Sequence, residues 1–404
     1  MPPLTNTPLS VLDLAVVRGN ATVREALEAS VAMAQCAERS GYRRVWYAEH
    51  HNMASIASSA TSVLIAHVAA NTETIRLGSG GIMLPNHSPL TIAEQFGTLA
   101  TLHPGRIDLG LGRAPGTDQV TMRALRRDPM SAESFPEDVL ELQGFLGSES
   151  RIPGVKAIPG AGTNVPLYIL GSSTFGAQLA AQLGLPYAFA SHFAPEALTQ
   201  AIQIYRGRFS PSEQADSPWA IAAVNVIVAP TEEEAAEELH HAKRSRIAAL
   251  LAPGRRFSEA ELDAVVDSPG GRQVASMMRY TAAGTPDTVS EYLEDFRAHA
   301  DADELIVAPG SRSVQGRLQS LELLAEVAGE HAHDGADIRG RKGPDCRVRA
   351  KPLALRRILS NLVDNALRHA RLRVQVTVTI EGDMAHLRVS NDGEPIPEKD
   401  LARI

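Results

Sequence analysis

Cysteine is nearly absent, with Cys36 and Cys346 the only two in 404 residues. A pair so far apart argues against a disulfide scaffold or a thiolate metal site. Aromatic residues are scarce at 4%. No apolar run approaches the roughly 20 residues that cross a bilayer, and the amino terminus lacks the charged-then-apolar pattern of a secretory signal. The expectation is a cytoplasmic chain with no membrane partner. Positive charge is also in deficit, the formal net charge being −8. Through His333 there are 25 Lys+Arg against 37 Asp+Glu, and from Asp334 onward 14 against 10. The acidic body excludes nucleic acid as a partner. The change of sign marks a candidate domain boundary.

What the chain does have is apolar residues, 44% of the total, enough for a large core. They fall into strand-like and helix-like runs in alternation. Residues 9–14, 43–48, 75–84, 106–112, 166–170, 187–190, 222–229 and 304–307 read as short apolar strands. Between them come helical patterns, such as Ala26, Leu27, Val31, Ala34 and Ala37 on one face before Gly41, or Ile92, Phe96, Leu99 and Leu102 after Pro89. Residues 114–165 read as a polar, proline-containing segment, and residues 231–280 as mostly helical. Strand–helix–strand units of this length imply parallel strands. Eight of them predict an α/β fold, a (β/α)8 TIM-type barrel with insertions. A doubly wound sheet is the rival. The Gly110-x-Gly112 pair lacks the full glycine spacing and the acidic residue that such a fold uses.

Ligands of parallel α/β folds collect at the carboxyl ends of strands. There this sequence places Glu49-His50-His51, Arg113, and the turn Gly171-Ser172-Ser173-Thr174. The strand at 75–84 is broken by Gly78, Gly80 and Gly81, which signals either a bulge or something approaching the backbone closely. Two adjacent histidines after an extended strand point opposite ways and are poorly placed to chelate one metal. Met83, Phe189 and His192 also lie near strand ends, core packing being the simpler role for the first two. The glycine-containing insert at 253–283 is a candidate lid.

After residue 328 the character changes. Residues 329–344 read as a linker and 345–404 as a small, incomplete α+β segment. Within it, 352–370 reads as an amphipathic helix, and the alternation at 374–380 is expected to turn through Glu381-Gly382-Asp383 into a hairpin.

Residues 9–328 resemble the bacterial luciferase-like flavin-dependent monooxygenases. The motifs are Ala48-Glu49-His50-His51, the glycine-broken third strand with Leu84-Pro85, Ala93-Glu94-Gln95, Gly105-Arg106-Ile107 leading to Gly112-Arg113, and Ser172-Ser173-Thr174 before Gly184-Leu185-Pro186. The resemblance implies reduced FMN supplied by a separate flavin reductase, O2, a small organic substrate, and room for a homodimer. A sister branch uses a deazaflavin for hydride transfer. His50 would move protons at the flavin's reacting edge, a task suited to imidazole. Glu49 would either orient it or form a structural salt bridge. Gly80 and Gly81 would let the flat ring lie against the strand. Arg113 with Gly171, Ser172, Ser173 and Thr174 would cradle the FMN phosphate through a cation, hydroxyls and helix-terminal amides.

The tail resembles the front half of a sensor histidine kinase ATP-binding domain. Asn361-Leu362-Val363-Asp364-Asn365-Ala366 is similar to its N box and residues 389–396 to its first glycine box. Asn391 stands where an adenine-reading Asp is usual, and Pro395 where a second glycine is usual. The later glycine box and the phosphoacceptor helix are not found, so the tail is expected to be catalytically silent. Two other functions fit the sequence less directly: a flavin- and nucleotide-binding signalling module, and a non-catalytic flavin carrier.

Overall fold

A computed structural model of the chain describes residues 7–19, 21–114, 117–251, 257–330, 374–381 and 384–391. Two compact units are present, Met1–Ala336 and Asp337–Ile404. In the first, eight parallel strands close into a barrel: β1 (Leu9–Asp13), β2 (Arg44–Tyr47), β3 (Arg76–Met83), β4 (Ile107–Gly112), β5 (Leu167–Gly171), β6 (Tyr187–Phe189), β7 (Ala220–Val228) and β9 (Glu304–Pro309), which pairs back onto β1. This is the expected (β/α)8 fold.

A ninth strand, β8 (Thr281–Gly284), pairs with β7 outside the closed barrel. The sequence places these residues in the candidate lid insert. Four small residues, Thr-Ala-Ala-Gly, carry no strand-length apolar signal. The segment between β4 and β5 is likewise more ordered than its polarity suggests. It holds α4 (Gln119–Ala124) and α5 (Phe135–Leu146), the latter burying Phe135, Val139, Leu142, Phe145 and Leu146.

The helices that matter for the site begin just after strands. α1 (Val23–Arg39) starts at a reciprocal cap in which Thr22 and Glu25 exchange hydrogen bonds. α3 (Pro89–Leu102) starts on proline, and α6 (Thr174–Leu183) ends at Gly184, where φ is +62°. α8 (Glu232–Leu251) follows β7, and the chain returns through α9 (Glu259–Val266), α10 (Pro269–Met277), β8 and α11 (Pro286–Ala300) to β9, capped by α12 (Val314–Glu330).

Two cores result. One lies between strands and helices and contains Phe96, Phe135, Tyr187, Phe189 and Tyr205. The other fills the barrel with Leu12, Trp46, Tyr168, Ala188, Ile221, Ala223 and Ile306, Trp46 meeting Tyr168 edge-on at 5.0 Å between ring centres. Below it, at the amino ends of the strands, sits a layer of charge. Arg44 pairs with Asp108 at 2.8 Å and Glu304 at 3.0 Å, and it donates to the Tyr168 hydroxyl at 2.7 Å. Arg76 closes on the other oxygen of Asp108, while Ser10 and Trp219 donate to Glu304. Burial opposes Arg44's charge, but Glu304 and Asp108 outweigh it and raise its pKa.

The second unit is described only as the antiparallel hairpin of β10 (Val374–Glu381) and β11 (Met384–Asn391), with Val374 opposite Asn391 and Glu381 opposite Met384. The expected helix at 352–370, with Asn361–Ala366 inside it, lies outside the described residues.

Candidate active site at the barrel mouth

At the carboxyl ends of the strands the polar groups are arranged differently. Glu49, fully buried, accepts from His51 Nε2 at 2.8 Å, His87 Nε2 at 2.9 Å, the Met83 amide at 3.0 Å and Asn86 Nδ2 at 3.3 Å. Burial alone would raise its pKa, but the bonds from His51 and His87 prevail and hold it at about 2. Glu49 is therefore a permanent carboxylate that ties the loop after β2 to the loop after β3. Its hydrogen bonds to His51 and His87 make it an anchor for the walls around His50.

His50 follows β2, and β2 stands four strands round the barrel from β6, directly opposite. After β6 comes His192, 9% exposed, whose Nδ1 has no hydrogen-bond partner. Burial depresses its pKa to about 3, with Arg246 and then His50 adding to the effect, so it is neutral at ordinary pH. Asn225 Nδ2 on β7 donates to the His192 carbonyl at 2.7 Å, and Ser191 Oγ donates to the Ala223 carbonyl at 2.6 Å. These bonds hold the His192 loop against β7.

The turn after β5 and the end of β4 come together. The Arg113 guanidinium lies over the Phe175 ring, 4.0 Å from its centre. That ring is the second residue of α6. The N-cap, Ser173, makes no side-chain capping bond, so its hydroxyl does not take up the first-turn amides of α6. The Tyr187 hydroxyl donates to the Ser173 carbonyl at 3.0 Å and fixes the turn. Gly171 and Gly176 make room for that tyrosine, since an added Cβ would sit 3.3 Å and 3.2 Å from its ring or hydroxyl.

Gly80 and Gly81 are joined by a cis peptide bond within a bulge of β3, where both residues face the single position Gly110 of β4. A Cβ on Gly81 would lie 2.7 Å from the Gly110 carbonyl oxygen, and one on Gly80 would lie 3.0 Å from Leu12 and Trp46. Backbone crowding therefore excludes a side chain at Gly81 independently of any ligand, and the core leaves little room for one at Gly80. Phe189 belongs to the outer core, as the packing alternative held. Two contributors escaped the sequence reading. His87 lies in a loop without motif, and Arg246 sits in a helix of Glu, Ala and Arg that gave no sign of facing the barrel.

The family model for luciferase-like monooxygenases matches residues 7–303. The chain belongs to that family. A luciferase-like monooxygenase of Escherichia coli K12 is 47% identical over 333 residues, covering 80% of this chain and 97% of that one. The N-acetyl-S-alkylcysteine monooxygenase of Bacillus subtilis is 33% identical, with 79% and 97% covered. Among solved structures, apo-MsnO8 superposes with a TM-score of 0.71 at 35% identity, over 80% of this chain and 98% of that one. The luciferase-like barrel thus accounts for nearly the whole of each relative. Members of the family use flavin or deazaflavin cofactors and act as oxidoreductases. A second model, for histidine kinase-, DNA gyrase B- and HSP90-like ATPases, matches residues 350–404. No helix among the described residues is long and apolar enough to cross a membrane.

Proposed function

We propose that the barrel is a flavin-dependent monooxygenase that takes reduced FMN from a separate reductase and oxidises a small organic substrate with O2. The observation that carries this reading is the pairing of Arg113 with the uncapped start of α6. A fixed cation and free helix-terminal amides meet at one point, which suits a terminal phosphate. A phosphate held there would be bound by Arg113, by the hydroxyls of Ser172, Ser173 and Thr174, and by the amides of the first turn. The barrel axis would then receive the ring, above the Trp46–Tyr168 layer and between His50 and His192. Gly80 and Gly81 form the part of the β3 wall without side chains.

When bound, the reduced flavin supplies the two electrons that let O2 insert one oxygen atom into the substrate and release the other as water. The chain's own part is positional and protonic. His50 holds or delivers a proton at the ring's reacting edge, and Glu49 keeps the neighbouring loops in place without titrating. His192 stays neutral on the side of the mouth opposite His50. The helices after β7, with the insert at 253–283, exclude water from the mouth.

The test is an anaerobic titration of the protein with reduced FMN and, separately, with a reduced deazaflavin, followed by measurement of O2 uptake on admitting air. Tight binding of reduced FMN with O2 uptake supports the proposal. Preference for the deazaflavin without O2 uptake would favour hydride transfer instead. His50→Ala should keep flavin affinity and lose product formation, with the O2 consumed appearing as hydrogen peroxide. Unchanged coupling in that variant would remove His50 from proton transfer.

A further inference from the structure

α8 does not lie wholly against the outer wall of the barrel. Glu238, one turn along it, takes hydrogen bonds from the Arg312 amide at 2.7 Å and from its guanidinium at 3.0 Å, while His241 meets Arg312 at 3.0 Å. Arg312 belongs to the loop after β9, on the mouth side. Positions 235, 238, 242 and 246 recur at helical spacing and share one face of α8. Ala235 on that face is 1% exposed. The same face therefore brings Arg246 to the mouth, beside the loop after β6.

Among the described residues Arg246 has no counter-charge. Its Nε is buried without a hydrogen-bond partner, and no carboxylate pairs with it among the described residues. The segment that follows α8, residues 252–256, reads Ala-Pro-Gly-Arg-Arg and contains no acid. Of the buried carboxylates at the strand ends, Glu49 is committed to His51 and His87, and Asp13 to the Ala15 amide and the Ser30 hydroxyl. A second buried polar atom without a partner, Nδ1 of His192, belongs to the same corner. Two neighbouring buried polar atoms without partners are expensive to maintain unless a ligand satisfies them. A guanidinium presents a planar fork that matches a carboxylate in two parallel hydrogen bonds. A neutral imidazole with a free ring nitrogen can donate a third. This corner follows β6 and β7, one strand beyond the β5 turn that leads into α6.

We propose that Arg246, with His192, forms an anion subsite that holds a carboxylate carried by the organic substrate. The subsite rests on the flavin reading only for the word substrate, since carboxylate binding there needs no flavin. A substrate held by its acid at Arg246 presents its apolar portion towards the barrel axis and His50, so the oxidised atom lies some bonds away from the carboxylate.

The experiment is calorimetric titration of the flavin-free full chain with hexanoate and with hexanamide, repeated for Arg246→Gln and Arg246→Lys. The parent should bind hexanoate at least tenfold more tightly than hexanamide. Arg246→Gln should erase that preference, Arg246→Lys should retain part of it, and all three proteins should unfold at similar temperatures. Reduced FMN affinity, measured on the same variants, should stay within twofold. Failure of the parent to bind hexanoate, or equal hexanoate affinity in Arg246→Gln, overturns the subsite. A tenfold loss of reduced FMN affinity in Arg246→Gln also overturns it, by assigning the arginine to the flavin. Failure of FMN to bind any of the proteins, with hexanoate selectivity intact, would instead sink the flavin reading and leave the subsite standing.

Discussion

At the amino-terminal end of the barrel, Arg44 and Arg76 face Asp108 and Glu304, and every charge has an opposite beside it. At the carboxyl end, no carboxylate among the described residues pairs with Arg246, and His192 has a bare ring nitrogen. The two ends are built on the same eight strands and are buried by the same kinds of helices. What differs is whether the protein supplies an opposite charge to each buried cation. A closed charge network is a structural plug, because nothing remains for a ligand to do there. An open set of polar groups at the mouth, which the protein keeps despite the cost of desolvation, marks where chemistry enters. Glu49 shows that proximity to the mouth is not the criterion. It lies among the site loops, yet its oxygens are fully committed, and it belongs functionally with the plug.

The largest effect that sharpens this contrast is expected at the closed end. Arg44→Ala leaves Asp108 and Glu304 buried with one cation fewer and should cost about 3–5 kcal/mol of stability, read from denaturant unfolding. A loss below 1 kcal/mol would mean the layer is not the plug described. Next comes pH. His192 has its folded pKa lowered from 6.5 to about 3. Between those values the unfolded chain binds a proton that the native site refuses. The stability His192 contributes is thus complete above pH 6.5 and lost as pH falls towards 3. His192→Phe should flatten the stability–pH curve over that window by on the order of 2–4 kcal/mol. Glu49 acts in a lower window, between about 4.5 and 2, so the two contributions separate on one titration.

Much of the closed architecture was legible in the sequence, because strand-length apolar runs alternate with helical periodicity and each local pattern agrees with the whole. Positions at strand ends were legible too, which is why Arg113 and the Ser172–Thr174 turn could be named together before their contact through Phe175 was seen. What could not be read were properties created by distant neighbours. The crowding of Gly81 against Gly110, and of Gly80 against Leu12 and Trp46, depends on how three strands pack. The exposure of α8's Arg246 to the mouth depends on the Arg312 loop some 66 residues later. The helix α5 was hidden by its acids, Glu137, Asp138 and Glu141, which alternate with the five apolar residues it buries.

A smaller effect is expected in affinity. Arg113→Ala should weaken reduced FMN binding by about 1.5–3 kcal/mol, roughly ten- to a hundredfold, without altering unfolding. The smallest is expected in the second unit. Deleting residues 337–404 should leave reduced FMN affinity and turnover of the barrel unchanged, since the relatives at 33–47% identity are covered almost entirely by the first unit. Loss of activity on truncation, or tight magnesium-dependent ATP binding by the full chain, would show the tail to be a working part.

The division between the two ends is tested most directly by measuring stability and reduced FMN affinity side by side in Arg113→Ala and Glu304→Gln. The account predicts opposite outcomes: Arg113→Ala unfolds like the parent and loses flavin, while Glu304→Gln is destabilised and its folded fraction binds flavin with parental affinity. A Glu304→Gln protein that is stable but cannot bind flavin, or an Arg113→Ala protein that unfolds early and binds it normally, would contradict the account.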